Sequence, residues 1–174
     1  MNKNIKSAAQ GGFTLIELIV VIVILGILAA TALPKFASLG GDARFASLSA
    51  AKGAMASTSA MAHGKYLVNT GAPLETLNVE GATLAFATSP ATGYPKADAG
   101  LVAAAGLTDE YQVYVGFHDN TANNVSVAAD EIMLVPSSIA STGSALKCYV
   151  KFKEAATKGS APKITIEGSA ADCE

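Results

Sequence analysis

The chain has no tryptophan, an aromatic share of only 6% and a charged share of only 15%, with two histidines and two cysteines. Each shortage removes a class of chemistry. His63 and His118 lie far apart with no second metal-type residue at ligand spacing, so a histidine-based metal centre has nothing to build on. Cys148 and Cys173 make no C-x-x-C pair, which removes a dithiol redox motif and a zinc knuckle. No glycine-rich phosphate loop follows a strand-like run, and no Ser-His-Asp arrangement can be argued, so an enzyme reading has no footing. Twelve basic residues stand against 14 acidic ones, a net charge of −2, which leaves no electrostatic footprint for nucleic acid and implies no specific nucleic-acid partner. The segment DNTANNVSVAAD sets Asp119, Thr121, Asn123 and Asp130 at positions that echo a calcium loop. It lacks the glycine at its sixth position and the terminal glutamate, so an Asx-rich turn explains it as well, and no cofactor is expected.

One shortage is local. No acidic residue precedes Glu17, and none follows it until Asp42. Around Glu17 runs FTLIELIVVIVILGILAATAL, Phe13 to Leu33, in which it is the single charge. As a helix these residues would span roughly 31 Å, the thickness of a bilayer core. An ordinary core helix would be amphipathic, whereas this one is apolar on every side from Leu18 to Ala30. Lys3 and Lys6 precede the run, which keeps the N-terminus cytoplasmic and exports the chain beyond Pro34. A secretory signal peptide cleaved at Ala30-Thr31-Ala32 is one reading. It leaves Glu17 unexplained, because a charge at the centre of a membrane helix costs about 2.5–3.5 kcal/mol, less toward its end. A cut between Gly12 and Phe13 supplies a partner: the new α-amino group, with an ordinary pKa of about 7.7–8.0, would lie one helical turn from Glu17.

The stretch KSAAQGGFTLIELIVVIVILGILAATALPKF resembles the start of type IV prepilins: a short basic leader ending in Gly12, then Phe13, Thr14, Leu15, Ile16 and Glu17, and an apolar helix containing Gly26 and Pro34. With ASLGGDARFASLSAAKGAMASTSAMAHGKY and a late cysteine pair, the resemblance extends to type IVa pilins of the mannose-sensitive haemagglutinin class. The first 35 or so residues carry most of it, and pseudopilins of type II secretion systems share them. The resemblance implies that a prepilin peptidase/N-methyltransferase cuts after Gly12 and methylates the Phe13 amine. It implies that Glu17 pairs with the Phe13 ammonium of a neighbouring subunit during assembly. In apolar surroundings such a pair acts as a registry device more than as net stabilisation. It also implies that the helix between Gly26 and Pro34 can yield inside a filament.

Composition and periodicity complete the reading. Loss of the leader removes Lys3 and Lys6, leaving 10 basic against 14 acidic residues, a net −4. After Pro34, Phe36, Leu39, Ala43, Leu48, Ala51, Met55, Ala62 and Tyr66 recur at helical spacing, so one long helix is expected from about Phe13 to about Gly64. Pro34 weakens it by about 3 kcal/mol. Gly26 costs roughly 1 kcal/mol, and Gly40-Gly41 about twice that. From Tyr66 to about Asp109 the chain is dense in turn residues and expected to be loop. Strands come next, with Tyr111, Val113, Val115 and Phe117 on one face, then Ile132 and Leu134, then Leu146, Cys148, Val150 and Phe152 inward, then Ile164 and Ile166. Lys147, Lys151 and Lys153 form an outward stripe that gains Lys163 only if the last two strands are neighbours. A Cys148–Cys173 bridge suits an exported chain, and closing about 25 residues is worth roughly 3.5 kcal/mol on a chain-entropy account.

The expected class is α+β: a long N-terminal helix packed on a roughly four-stranded antiparallel sheet, the type IV pilin fold with a disulfide-bounded C-terminal region. Its segments are a leader (1–12), a membrane and filament-core half-helix (13–34), an amphipathic half-helix (35–65), a variable loop (66–110), and the sheet with the bridged tail (111–174). The expected function is that of major subunit of a type IV pilus. It would polymerise with its own copies through the inner-membrane assembly machinery, for adhesion to cell or environmental surfaces, glycans among them, and for biofilm formation. The precursor would sit in the inner membrane with a periplasmic globular part before joining an extracellular filament. A type II secretion pseudopilin and an exported domain on a signal anchor are the alternatives.

Overall fold

The computed structural model describes residues 12–37, 39–69, 74–116, 119–120 and 125–174, in two compact units divided after Ala37. In the first unit, helix α1 runs from Leu15 to Ala37 and passes through Pro34. Its Leu, Ile and Val side chains from Leu15 to Leu28 are all at least 45% exposed. A helix with apolar side chains on every side is not a surface element of a globular domain; it needs hydrocarbon or other helices around it. A Cβ built at Gly26 would find no atom within 4 Å among the described residues, so packing there gives no reason for a glycine.

The second unit is organised by helix α2, Leu39–Val68. Its buried face is Gly41, Leu48, Ala51, Met55, Thr58, Ser59 and Ala62, spaced mostly three, four or seven apart as the period of 3.6 requires. The helix extends past the expected end at Gly64. Ser38 lies outside the described residues, so the long helix expected from Phe13 is described in two lengths.

The main sheet has four antiparallel strands: β3 (Tyr111–Val115), β6 (Glu131–Pro136), β7 (Tyr149–Lys153) and β8 (Lys163–Glu167), in the order β3-β6-β7-β8. Register pairs Ile132 with Phe152 and Phe152 with Ile164, and it pairs Leu134 with Val150 and Val150 with Ile166. These residues therefore share one face, with α2 packed on β7 and β8. Leu48, Met55, Ile132, Leu134, Val150 and Phe152 are fully buried. Each such side chain contributes about 1.5–3 kcal/mol relative to exposure.

The expected one-sided sheet is corrected at two strands. Met133 and Val135 on the opposite face of β6 are as buried as Ile132 and Leu134, together with Tyr114, Val127 and Ile139. In β3, Tyr111 and Tyr114 are buried while Val113 and Val115 are half-buried. β6 is an interior strand, and covered interior strands lose the clean alternation expected of a half-solvated sheet. Leu146 is also not an inward strand residue. It is 41% exposed at the end of a 3-10 turn, Gly143–Leu146, whose Ser144 carbonyl accepts from Lys147 and Cys148. Those bonds delay the ladder to Tyr149. Phe117 lies outside the described residues.

The segment expected to be loop is folded. Strands β1 (Thr76–Val79) and β2 (Ala82–Ala85) form a hairpin through Glu80 and Gly81, which have φ of 49° and 88°. Positive φ at both central residues is the turn whose twist matches a hairpin. Helix α3, Ala99–Ala104, is capped by Asp98, whose side chain accepts from the Leu101 N–H at 3.1 Å. Burial pushes the Asp98 carboxyl up, against the N–H bonds that favour its charge. Leu84, Phe86, Leu101 and Val102 carry this layer into the common core. Two short strands, β4 (Asp119–Asn120) and β5 (Val125–Ser126), pair across the Asx-rich stretch. Thr121, Asn123 and His118 are outside the described residues. The helical N-terminus, the four-stranded antiparallel sheet and the Cys148–Cys173 bridge together make the type IV pilin fold.

Candidate functional site

The start of α1 is held by a reciprocal cap. The Thr14 N–H and hydroxyl both donate to Glu17 Oε2, at 2.9 and 2.7 Å, and the Glu17 N–H is 3.3 Å from Thr14 Oγ1. Ser/Thr at the cap with Glu three residues on satisfies two of the N–H groups that every helix start leaves open. The carboxylate is thereby folded back along the helix toward Phe13, which is 92% exposed. Both bonds fall on Oε2, and Oε1 has no partner among the described residues. Thr14 is the residue that hydropathy reasoning passes over, although T-x-x-E before an apolar run is a legible signal.

A second constellation fastens the C-terminus. Cys148 and Cys173 are fully buried and bridged, with Cα atoms 5.1 Å apart. Arg44 of α2 donates to the Cys173 carbonyl at 2.8 Å and to Ser138 Oγ at 3.0 Å. Ser144 Oγ donates to the Glu174 carbonyl at 2.7 Å. A second capping box, Ser169 with Asp172, opens the final 3-10 turn, Ala170–Cys173, and its bonds from Ser169 hold the Asp172 carboxyl below its ordinary value. Gly41 lets this turn approach α2: a Cβ there would collide with the Ala170 carbonyl. The glycine pair that reads as a weak spot in the helix is, at Gly41, a docking contact.

The lysine stripe is changed by its surroundings. β7 and β8 are neighbours and Lys153 pairs in register with Lys163, so the stripe does gain Lys163. Glu131, however, sits 3.4 Å from Lys151 and 3.2 Å from Lys153, and Asp130 sits 3.2 Å from Lys153. The face is a mixed network and not a bare cationic surface. Burial pushes the Glu131 carboxyl up, but the bond from Lys153 and the charges of Lys151 and Lys153 outweigh it, so the group lies below its ordinary 4.5. A depressed carboxyl stabilises the fold above its unfolded pKa and loses that contribution as the pH falls through the folded one. Glu131→Gln is accordingly expected to cost about 1 kcal/mol at pH 7, some 2–4 °C in melting temperature. The difference should close well below pH 4.5; a gap unchanged down to pH 3 would show that the charge contributes nothing.

His63 is a packing residue: its ring lies flat on Tyr94, centroids 3.9 Å apart, and its Nδ1–H donates to the Gly93 carbonyl at 2.9 Å. Among the described residues no three His, Cys, Asp or Glu side chains gather as metal ligands do.

Residues 7–33 match the family model described as the prokaryotic N-terminal methylation motif. Comparison with curated proteins and with solved structures finds no significant match. The motif is one that type IV pilin-like proteins carry, pilins and pseudopilins alike, and the match lies wholly in the N-terminal segment. It implies processing by a prepilin peptidase, a membrane-anchored precursor and assembly into pilus-like polymers.

Proposed function

We propose that this chain is the major subunit of a type IV pilus of the mannose-sensitive haemagglutinin class, assembling into surface filaments that attach cells to cell or environmental surfaces. The observation that carries the reading is α1: exposed and apolar on every side, with one carboxylate turned back toward Phe13 by the Thr14 cap. In this reading residues 1–12 are a leader removed after Gly12, and Phe13 becomes the methylated N-terminus. Segment 13–34 is first a membrane anchor and then filament core, and 35–65 is the part of the helix that joins the globular domain. Segment 66–110 connects helix to sheet, and 111–174 forms the sheet and bridged tail. Gly26 and Pro34 supply compliance to the filament-core helix. The precursor sits in the inner membrane with its N-terminus cytoplasmic, and the assembly machinery there moves it into an extracellular fimbrium.

A pseudopilin of a type II secretion system is the second reading. The bridge that encloses the last sheet strand favours a pilin, whose exported filament must hold its tail without help. Electron microscopy of cells lacking the chain separates the two: lost filaments support the pilus, whereas lost enzyme secretion with intact filaments supports the pseudopilin.

Processing is tested by intact mass. The mature chain should begin at Phe13 with one methyl group on its amine, and Gly12→Ser or a bulkier change should leave precursor in the inner membrane. A chain starting at Leu33 would establish a secretory signal peptide instead.

A further inference from the structure

Away from both constellations, the C-terminal part of α2 borders a cleft of about 490 Å³. Its walls include His63, Tyr66 and Leu67 of α2, Thr92 of the loop after β2, and Lys158 and Gly159 of the β7–β8 connection. The size suits a small molecule, as does a largely apolar lining with a few polar groups. One wall is firmly set. His63 is clamped between its Tyr94 stack and its bond to Gly93. Gly93 has φ 77°, and a Cβ there would come within 2.7 Å of the Tyr66 ring. Only glycine lets the loop seat against the helix so closely.

The polar groups are of one kind. Among the described residues no carboxylate lines the cleft, although the chain has more acidic than basic residues. Lys158 has no acidic partner among the described residues, unlike Lys151 and Lys153. Lys158 and Gly159 are the central residues of a turn closed by Ser160 N–H donating to the Thr157 carbonyl at 3.1 Å, with Gly159 at φ 87°. The N–H groups of those two residues have no backbone acceptor among the described residues. The Thr92 oxygen accepts from the Tyr94 N–H at 3.3 Å, which leaves its own proton to donate. The carbonyls that end α2 work against an anion, and Lys65 in the last helical turn offsets them.

We propose that this cleft binds a small organic anion, a carboxylate or phosphate carried on a compact ring. The charge is received by Lys158 and the turn amides, and the ring lies against Tyr66 and Leu67. Binding in this cleft does not depend on filament assembly, and its test is made on the unassembled subunit.

The full chain, ¹⁵N-labelled in detergent micelles, is titrated with glucuronate, glucose 6-phosphate, glucose and inorganic phosphate. Saturable amide shifts at Thr92 and Gly159 are expected with the first two, and whichever of them binds more tightly identifies the charged group as carboxylate or phosphate. Lys158→Gln, in an exposed turn, should weaken binding about tenfold, the loss of one charge-assisted hydrogen bond. Lys163→Gln, at the exposed first position of β8, should leave it unchanged. Glucose binding as well as glucuronate, inorganic phosphate matching the ring compounds, indifference to Lys158→Gln, or no saturation with either acid would each overturn the proposal.

Discussion

Cys148→Ser is expected to yield unstable subunits and few filaments. The bridge closes a loop with a sequence separation of 25. Opening it returns about 3.5 kcal/mol of chain entropy to the unfolded state, if the whole effect is assigned there. A serine hydroxyl would then occupy a fully buried position, at a further cost of about 1–3 kcal/mol if it finds no partner. Against the roughly 5–15 kcal/mol typical of a domain, the sum is a large fraction of the stability. The bridge also organises its surroundings: Arg44 bonds the Cys173 carbonyl, and the turn containing Cys173 lies against Gly41. A freed tail loses these contacts together, because each depends on the others to hold position. The denaturation midpoint and protease resistance of the solubilised subunit check this, together with filament counts by electron microscopy. A Cys148→Ala/Cys173→Ala pair separates the covalent term from the buried hydroxyl and should recover part of the loss. Normal assembly and wild-type protease resistance in Cys148→Ser would make the bridge dispensable.

The features legible in the sequence rest on signals that need no knowledge of neighbours. A 21-residue apolar run is a helix seeking hydrocarbon or helices whatever the rest of the chain does. Val150 and Phe152, alternating with Lys151 and Lys153, report a half-buried strand by themselves. The misses require a neighbour. Met133 and Val135 are buried because β6 is interior to the sheet, and strand order is not a local property. Gly41 reads locally as a helix weakness and becomes a contact only once the tail is folded back onto it. Helix α3, AGLVAA, spans six residues, too few for a helical period to show. The β1–β2 hairpin is obscured because its strands are four residues each, though Glu80-Gly81 marks its turn. Leu146 continues the alternation of β7 on paper, but it lies three residues before the ladder begins at Tyr149.

Glu17→Gln is expected to abolish filaments while leaving processing and membrane insertion intact. The geometry of the cap makes glutamine the informative change. The side-chain amide oxygen of glutamine can accept from the Thr14 N–H as the carboxylate does, so the helix start is preserved and only the charge is removed. A neutral amide is also cheaper to place in hydrocarbon, so the monomer should insert at least as well. Assembly is different. The ammonium of a neighbour's Phe13 would be desolvated among apolar helices with no countercharge, and removing one partner of a buried pair costs about 3–5 kcal/mol. Each subunit added would carry that cost, a factor of more than about a hundred in its equilibrium. Thr14→Val is the companion test, since it keeps the carboxylate and the backbone N–H bond to it but removes both bonds made by the Thr14 hydroxyl. If the cap serves to aim Glu17 at the incoming amine, this variant should form filaments slowly or sparsely and not lose them altogether. Cleaved, methylated Glu17→Gln subunits accumulating in the membrane without pili would support charge pairing, read by intact mass beside electron microscopy. Abundant normal pili would reduce Glu17 to the capping partner of Thr14.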